Sequence, residues 1–142
     1  MGRIIAIDYG SKRTGIAITD PLQLIATPLE TVATEKLMEF LQHYMAKEQV
    51  DEIVVGMPKK LNNEETAMTP LVKKFIQELK KKFPCLPIFE FDERLTSTIA
   101  LQSMIQGGSR KKDRMQKTGN LDKISATLIL QSYMERKKNA SV

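Results

Sequence analysis

The fold of this chain is decided by its opening stretch, Ile4-Ile5-Ala6-Ile7-Asp8-Tyr9-Gly10-Ser11-Lys12-Arg13-Thr14-Gly15. The apolar, β-favouring run at its start predicts a buried strand that ends at Asp8. A second such run, Ile16-Ala17-Ile18-Thr19, follows directly, so the stretch predicts a hairpin with a glycine-bounded turn. A carboxylate that ends a buried strand needs a partner, because an unpaired buried charge costs several kcal/mol. That partner can be a metal ion, a phosphate-bound metal, or a nearby Arg or Lys.

Strands and helices alternate along the rest of the chain. A third strand is expected at 24–32, near a sheet edge because Pro28 interrupts it. Further strands are expected at 52–56 and 87–91. Capping residues and apolar periodicity predict helices with N-caps at Thr34, Thr69, Thr96 and Asn120. The last helix is expected to bury a stripe of Ile124, Leu128, Leu130 and Tyr133. This order predicts an α/β domain with a mixed central sheet flanked by helices: three antiparallel strands first, then parallel strands added through helical crossovers.

Length and composition are typical of a single globular domain. The 142 residues predict one domain over 1–138 and a disordered C-terminal tail at 139–142. Every apolar run is shorter than the roughly 20 residues that span a bilayer, and the N-terminus lacks the layout of a signal peptide. We therefore expect no membrane association. The single cysteine, Cys85, cannot form an internal disulfide, which fits a reducing, cytoplasmic location.

The positive charge is concentrated in the last quarter of the chain. Residues 107–142 contain nine Lys or Arg against three Asp or Glu, whereas the remaining residues are almost balanced. This asymmetry predicts a polyanionic partner such as nucleic acid. A solvated helix end followed by a basic tail would produce the same balance, so charge alone leaves both interpretations open.

Three carboxylates can meet at one edge of the predicted sheet. Asp8 ends the first strand, Glu93 follows the last strand with Asp92 beside it, and Asp122 lies at the start of the final helix. Sites in open α/β sheets form at the carboxyl ends of the strands. A cluster of acids needs cations, and Mg²⁺ or Mn²⁺ suits an all-oxygen site, with two ions able to clamp a phosphodiester. Taken singly, each acid also has an ordinary explanation as a turn former, a salt-bridge partner or a helix-start residue.

Four blocks of the sequence match, in order, the signature blocks of a known family. They are Asp8-Tyr9-Gly10-Ser11-Lys12-Arg13-Thr14-Gly15-Ile16-Ala17, Val54-Val55-Gly56-Met57-Pro58, Asp92-Glu93-Arg94-Leu95-Thr96-Ser97, and Leu121-Asp122-Lys123-Ile124-Ser125-Ala126 with Ile129-Leu130-Gln131. Over essentially its whole length the chain resembles the YqgF (RuvX) family of pre-16S rRNA nucleases and Holliday junction resolvase-like proteins. The resemblance implies a ribonuclease H-like fold and metal-dependent phosphodiester hydrolysis. It also implies Asp8, Glu93 and Asp122 as the catalytic, metal-binding triad. Asp92 is either a fourth ligand, ranked below Glu93, or the partner of a cation.

Basic residues near these acids are the candidates for holding the nucleic-acid backbone. Lys12 and Arg13 lie in the turn beside Asp8, and Arg94 follows Glu93 directly. A basic loop adds Arg110, Lys111, Lys112, Arg114 and Lys117. Contacts to phosphate give affinity with little reading of sequence. Aromatic residues make up only 6% of the chain, so base stacking is not expected to dominate.

The favoured function at this stage is a metal-dependent endonuclease that processes the 5′ end of pre-16S rRNA. Precursor ribosomal particles are then possible partners, and the protein is expected to be a monomer or a weak dimer. A Holliday junction resolvase with the same chemistry is the nearest alternative, although resolution calls for a two-fold dimer. A sugar kinase or actin-like ATPase is disfavoured because those proteins contain two copies of such a domain, and this chain has room for one. A non-catalytic nucleic-acid-binding module is disfavoured because it would not need the three acids.

Overall fold

The computed structural model describes residues 2–58, 66–92 and 118–140. In chain order its elements are β1 (Arg3–Asp8), β2 (Arg13–Thr19), β3 (Ala26–Ala33), a 3₁₀ turn (Thr34–Lys36), α1 (Leu37–Lys47), β4 (Val50–Met57), α2 (Thr69–Lys82), β5 (Ile88–Asp92) and α3 (Thr118–Ala140). The helix predicted from Thr96 and the basic loop after it lie outside the described residues. Helix α3 extends two residues into the segment predicted as a tail, and residues 141–142 are outside the description.

The five described strands form one mixed sheet in the order β3-β2-β1-β4-β5. Strands β1, β2 and β3 are antiparallel neighbours, and β4 and β5 are added parallel to β1 on its other side. The predicted mixed sheet is therefore confirmed. Strand β3 lies at an edge, as Pro28 predicted, and the β2–β3 register shifts where Ala17 meets Pro28.

Helices α1 and α2 cover one face of the sheet. Alternate strand residues such as Ile5, Ile7, Ile53 and Val55 point to this face and are fully buried. The helices contribute a matching apolar stripe that comprises Leu37, Leu41, Val72, Phe75, Ile76 and Leu79. This cluster is the larger of the two hydrophobic cores, and it lies on the face of the sheet opposite α3.

Helix α3 covers the opposite face. Its buried residues Ala126, Ile129 and Leu130 pack with Ile4, Ala6, Ala17, Val54 and Phe91. Small side chains on both sides of the contact allow the helix to approach the sheet closely. Of the predicted stripe, Ile124 and Leu130 are buried and Tyr133 is half-buried against this core, whereas Leu128 is half-buried and does not belong to it. The helix also begins at Thr118, two residues before the expected cap at Asn120.

The C-terminal half of α3 is fixed to the start of β4 through the buried carboxylate of Glu52. The Tyr133 hydroxyl donates to Glu52 Oε1 at 2.7 Å, and Lys137 Nζ lies 3.0 Å from both carboxylate oxygens. Burial, with the hydrogen bond to Glu52 next, raises the pKa of Tyr133 well above its usual range. Because Glu52 is aligned with Ile4 across the β1–β4 pair, this contact places Tyr133 at the beginning of β1.

We expect Tyr133→Phe to lower the free energy of unfolding by about 1–3 kcal/mol, since a hydrogen bond to a buried charge is removed. Urea denaturation measures the change. Tyr44→Phe is the matched control, because Tyr44 donates no hydrogen bond within the described part of the chain, and its effect should stay within about 0.5 kcal/mol. Equal losses in the two variants would contradict this role for the Tyr133 hydroxyl.

Thr34 does not cap a helix, contrary to the sequence-based prediction. A 3₁₀ turn begins at Thr34 and α1 begins three residues later, and neither start has a side-chain capping bond. The Thr34 hydroxyl instead bonds the β1–β2 turn, described below. Helix α2 begins at Thr69 itself, with Pro70 in its first turn, rather than after a cap at Thr69.

The β2–β3 turn is organised by Asp20. Its carboxylate accepts backbone N–H groups of Ile25, Leu24 and Leu22 at 2.7, 2.8 and 3.2 Å, and these bonds, that of Ile25 first, hold its pKa below the ordinary value of 3.8. A depressed pKa stabilises the fold at neutral pH, and this contribution is lost as the pH falls through the folded-state value.

We therefore expect the Tm difference between wild type and Asp20→Asn to be largest near neutral pH and to shrink below pH 3.8. Thermal unfolding across an acid pH series measures it. A difference that does not change with pH would contradict the assignment.

Candidate active site

Three parallel strands end at the same edge of the sheet. Strand β1 ends at Asp8, β4 at Met57 and β5 at Asp92. Since β4 lies between the other two, the Cα atoms of Asp8 and Asp92 are about 10 Å apart, two strand spacings. Both side chains are half-buried. This edge is where open α/β sheets place their ligand sites.

The two carboxylates take opposite faces of the sheet. Neighbouring residues of a strand point to opposite faces of the sheet. Asp8 therefore points away from the face of Ile7 and shares the α3 face with Ala6. Asp92 pairs with Met57, whose side chain packs against α1 and α2. The structure therefore separates Asp92 from Asp8 by face, and only Asp8 is on the side that α3 covers.

Helix α3 runs back toward this edge. Tyr133 is fixed near Ile4, and position 122 precedes it by eleven residues, or about 17 Å along the helix axis. Asp8 lies four residues beyond Ile4, or about 13 Å along β1. Position 122 is also four residues before Ala126, which packs on the sheet. The two lengths are similar, so a helix that runs antiparallel to β1 would bring position 122 to the edge where β1 ends.

The β1–β2 turn presents two cations beside Asp8. Lys12 and Arg13 are both exposed. Arg13 lies two residues before Gly15 and four before Ala17 in β2. Every second residue of a strand points to the same face, so Arg13 is on the α3 face with Asp8. Gly15 pairs directly with Asp8, so β2 contributes no side chain next to the carboxylate. An anion at this edge would therefore meet the Arg13 guanidinium on the same face as Asp8.

Thr34 holds this turn in place. Its backbone N–H donates to the Lys12 carbonyl at 2.9 Å, and its hydroxyl donates to the Gly10 carbonyl at 2.6 Å. The turn is tight, since a Cβ added to Gly10 would lie 2.2 Å from the Arg13 carbonyl oxygen. The sequence does not indicate this role, because Thr followed by Glu at the end of a strand is a typical helix-start pattern.

Most of the remaining predicted site residues lie outside the described residues. They are Glu93, Arg94, Arg110, Lys111, Lys112, Arg114 and Lys117, and for Asp122 the backbone alone is described. Within the ranges that are described, no group of three His, Cys, Asp or Glu side chains is placed to hold a metal ion. The same ranges contain no helix that is both long and apolar enough to cross a membrane.

A groove of about 620 Å³ lies at the opposite edge of the sheet, between the end of α3 and the β2–β3 turn. Its walls are mainly apolar and include Ile4, Ile25 and Met134. Its lining includes Ile4, at the beginning of β1, and none of the predicted site residues that the structure describes. Geometry and chemistry therefore both place the candidate active site at the carboxyl edge instead.

Comparison with known proteins gives matches that span nearly the whole chain. The model of the family described as "RuvX: Holliday junction resolvase" matches residues 2–136. A protein of Phocaeicola vulgatus named "Putative pre-16S rRNA nuclease" is 51% identical over 138 residues, which covers 97% of this chain and 99% of the relative. A protein of the same name from Amoebophilus asiaticus is 50% identical over 138 residues, 97% of each chain.

Solved structures with the same fold include two junction resolvases. Fowlpox virus resolvase, in complex with Holliday junction DNA, aligns with a TM-score of 0.59 at 15% identity, over 94% of this chain and 97% of that one. Thermus thermophilus RuvC, with a Holliday junction substrate, aligns with a TM-score of 0.58 at 15% identity, over 96% and 97%. These similarities show a ribonuclease H-like fold, as the sequence resemblance implied. From the family match and the two relatives at half identity, the chain belongs to the RuvX (YqgF) family of nucleases.

Proposed function

We propose that this protein is a metal-dependent endonuclease that processes the 5′ end of pre-16S rRNA. The observation that carries the proposal is the position of Asp8 at the carboxyl end of β1, on the sheet face that α3 covers, with Arg13 of β2 on the same face. The names of the relatives at 51% and 50% identity support the choice of substrate. Precursor ribosomal particles are the natural setting for such a substrate, and a monomer or weak dimer is sufficient to cut one strand.

In this proposal the catalytic carboxylates are Asp8, Glu93 and Asp122. Glu93 follows Asp92 directly in the sequence and lies outside the described residues. Asp92 pairs with Met57 and faces α1 and α2, away from Asp8, so it is the weaker candidate. The face of Asp92 supports the ranking of Glu93 ahead of it.

The donor set fits Mg²⁺ or Mn²⁺. Carboxylate oxygens are the ligands that these hard cations prefer, and the proposed triad contains no sulfur or imidazole ligand. When bound, a pair of such ions generates the attacking hydroxide and stabilises the leaving 3′-oxygen. In this proposal the chain's own contribution is to hold three carboxylates close together. Without cations these carboxylates would repel one another, so the cluster favours binding of the ions.

The cations of the chain hold the backbone of the substrate. Lys12 and Arg13 are exposed in the turn next to Asp8, where they can bind the phosphates that flank the cleaved bond. Arg94 and the basic loop of Arg110, Lys111, Lys112, Arg114 and Lys117 extend this surface in our proposal. Such contacts orient the strand and exclude no base, so specificity would come from the folded shape of the precursor.

Cleavage of matched substrates tests the proposal. The full chain would be incubated with Mg²⁺ or Mn²⁺ and an RNA that spans the 5′ precursor of 16S rRNA, an unstructured RNA of equal length, and a four-way DNA junction, with product ends sequenced. We expect divalent-dependent cleavage of the precursor RNA that EDTA abolishes. Symmetric nicking of the junction without cleavage of RNA would favour a resolvase. Binding without cleavage of any substrate would favour a non-catalytic module.

A further inference from the structure

Thr34 directs both of its polar donors at the β1–β2 turn. The backbone N–H bonds the Lys12 carbonyl at 2.9 Å, and the hydroxyl bonds the Gly10 carbonyl at 2.6 Å. These two carbonyls flank the exposed tip of the turn at Ser11. Thr34 itself follows β3 directly and begins the 3₁₀ turn, more than twenty residues away along the chain. The turn is therefore held by a tertiary contact and not by its local sequence alone.

A second threonine completes the arrangement. Thr14 Oγ1 lies 2.9 Å from Thr34 Oγ1, and Thr14 is 0% exposed. A hydroxyl has one proton to donate, and Thr34 uses its proton on the Gly10 carbonyl. Thr14 must then be the donor between the two hydroxyls, so the bonds run in one direction from Thr14 through Thr34 to Gly10. Removing the Thr34 hydroxyl would leave the Thr14 hydroxyl and the Gly10 carbonyl without this partner.

The other side of the turn is held by an aromatic contact. Tyr9 stacks on Phe75 of α2 with ring centroids 4.7 Å apart, and burial, with the Glu78 charge second, raises the pKa of Tyr9. The backbone between these two supports has little room, as the close approach of Gly10 to Arg13 indicates. Lys12 and Arg13 thus project from a rigid base, although their own side chains are exposed.

We infer that Thr34 is a positioning residue for substrate binding: it fixes the β1–β2 turn so that Lys12 and Arg13 meet the phosphates that flank Asp8. This inference rests on the proposed function. Preorganisation of a charged turn raises affinity because the ordering cost is paid on folding rather than on binding. The hydroxyl makes no capping bond to the 3₁₀ turn or to α1, so helix capping does not explain it.

The test compares Thr34→Val with Thr34→Ser. Binding of the precursor RNA would be measured without divalent cations, at several salt concentrations, and single-turnover cleavage with Mg²⁺ would be measured separately. For the valine variant we expect about a tenfold weaker Kd at low salt and a salt slope lower by about one. Cleavage at saturating RNA should change by less than about threefold, because Thr34 does not touch the reacting atoms. The serine variant should restore the wild-type slope.

Two further variants separate positioning from loss of stability. Thr27→Val on the exposed face of β3 is the matched control and should leave the salt slope unchanged. In a chain that already carries Lys12→Ala and Arg13→Ala, Thr34→Val should add nothing to the loss of binding, since Thr34 acts through those two cations. An additive loss in that background, or a wild-type salt slope in Thr34→Val, would overturn the inference. Tm values for every variant verify that the protein is folded at the assay temperature.

The outcomes distinguish the inference from the proposed function. Salt-dependent binding by the wild type without cleavage of RNA would defeat the proposed function, while the comparison of Thr34 variants by binding would stand. Cleavage by the wild type together with unchanged binding in Thr34→Val would defeat the inference alone. Absence of RNA binding by the wild type would defeat both.

Discussion

Asp8→Asn is expected to reduce the rate of divalent-dependent RNA cleavage by about 1,000-fold, which corresponds to about 4 kcal/mol of transition-state stabilisation. The change replaces a carboxylate ligand with a neutral amide of the same shape at the end of β1. Affinity for RNA should be retained or increased, because a negative charge beside the phosphate path is removed. Single-turnover cleavage and equilibrium binding, measured on the same preparation, separate the two effects.

Asp92→Asn is the matched control for this experiment. Asp92 ends β5 at the same edge of the sheet, but it pairs with Met57 and faces α1 and α2. We expect its rate to fall by less than about tenfold, because it is not on the face of the proposed metal site. Equal rates for wild type and Asp8→Asn would contradict the proposed site. Equal, large losses in both variants would contradict the division of the two acids between faces.

Leu130→Ala is expected to lower the free energy of unfolding by about 2–5 kcal/mol, the cost of deleting a fully buried leucine. Leu130 is 0% exposed, and it packs between α3 and the sheet with Ile4, Ala6 and Val54. Urea denaturation gives the stability change. Because position 122 is on the same helix, cleavage by Leu130→Ala should also fail at a lower temperature than cleavage by the wild type.

Leu71→Ala on α2 is the control for this second experiment. Leu71 is 44% exposed, so the same change of side chain removes far less buried surface, and the loss should stay near 0.5 kcal/mol. Similar losses in the two variants would indicate that α3 is held by contacts other than its buried apolar face.

The sequence predicted the hairpin and the mixed sheet well because their signals are local. Two apolar runs on either side of Gly10 can hardly pair in any other way, and Pro28 correctly indicated an edge strand. The position of Asp8 at the mouth of the turn follows from the same pattern. The positions of these strands are thus readable from neighbouring residues alone.

The roles of Thr34 and Asp92 could not be predicted in this way. Thr34 looked like a helix cap, but its hydroxyl is satisfied by Gly10, which the sheet brings to it from a distant part of the chain. The face of Asp92 depends on its pairing with Met57, and the partial burial of Leu128 depends on how α3 packs on the sheet. Each of these facts requires the tertiary arrangement.

The docking of α3 on the hairpin face ties activity to the order in which the chain is made. A nascent chain that has emerged only as far as β5 can pair its five strands, but Ala6, Ala17, Val54 and Phe91 remain uncovered. Under our proposal it also lacks one of three catalytic carboxylates, since Asp122 arrives with the last helix. Under the same proposal, a nuclease built this way would stay inert on the ribosome that is synthesising it until its final helix has closed over the sheet.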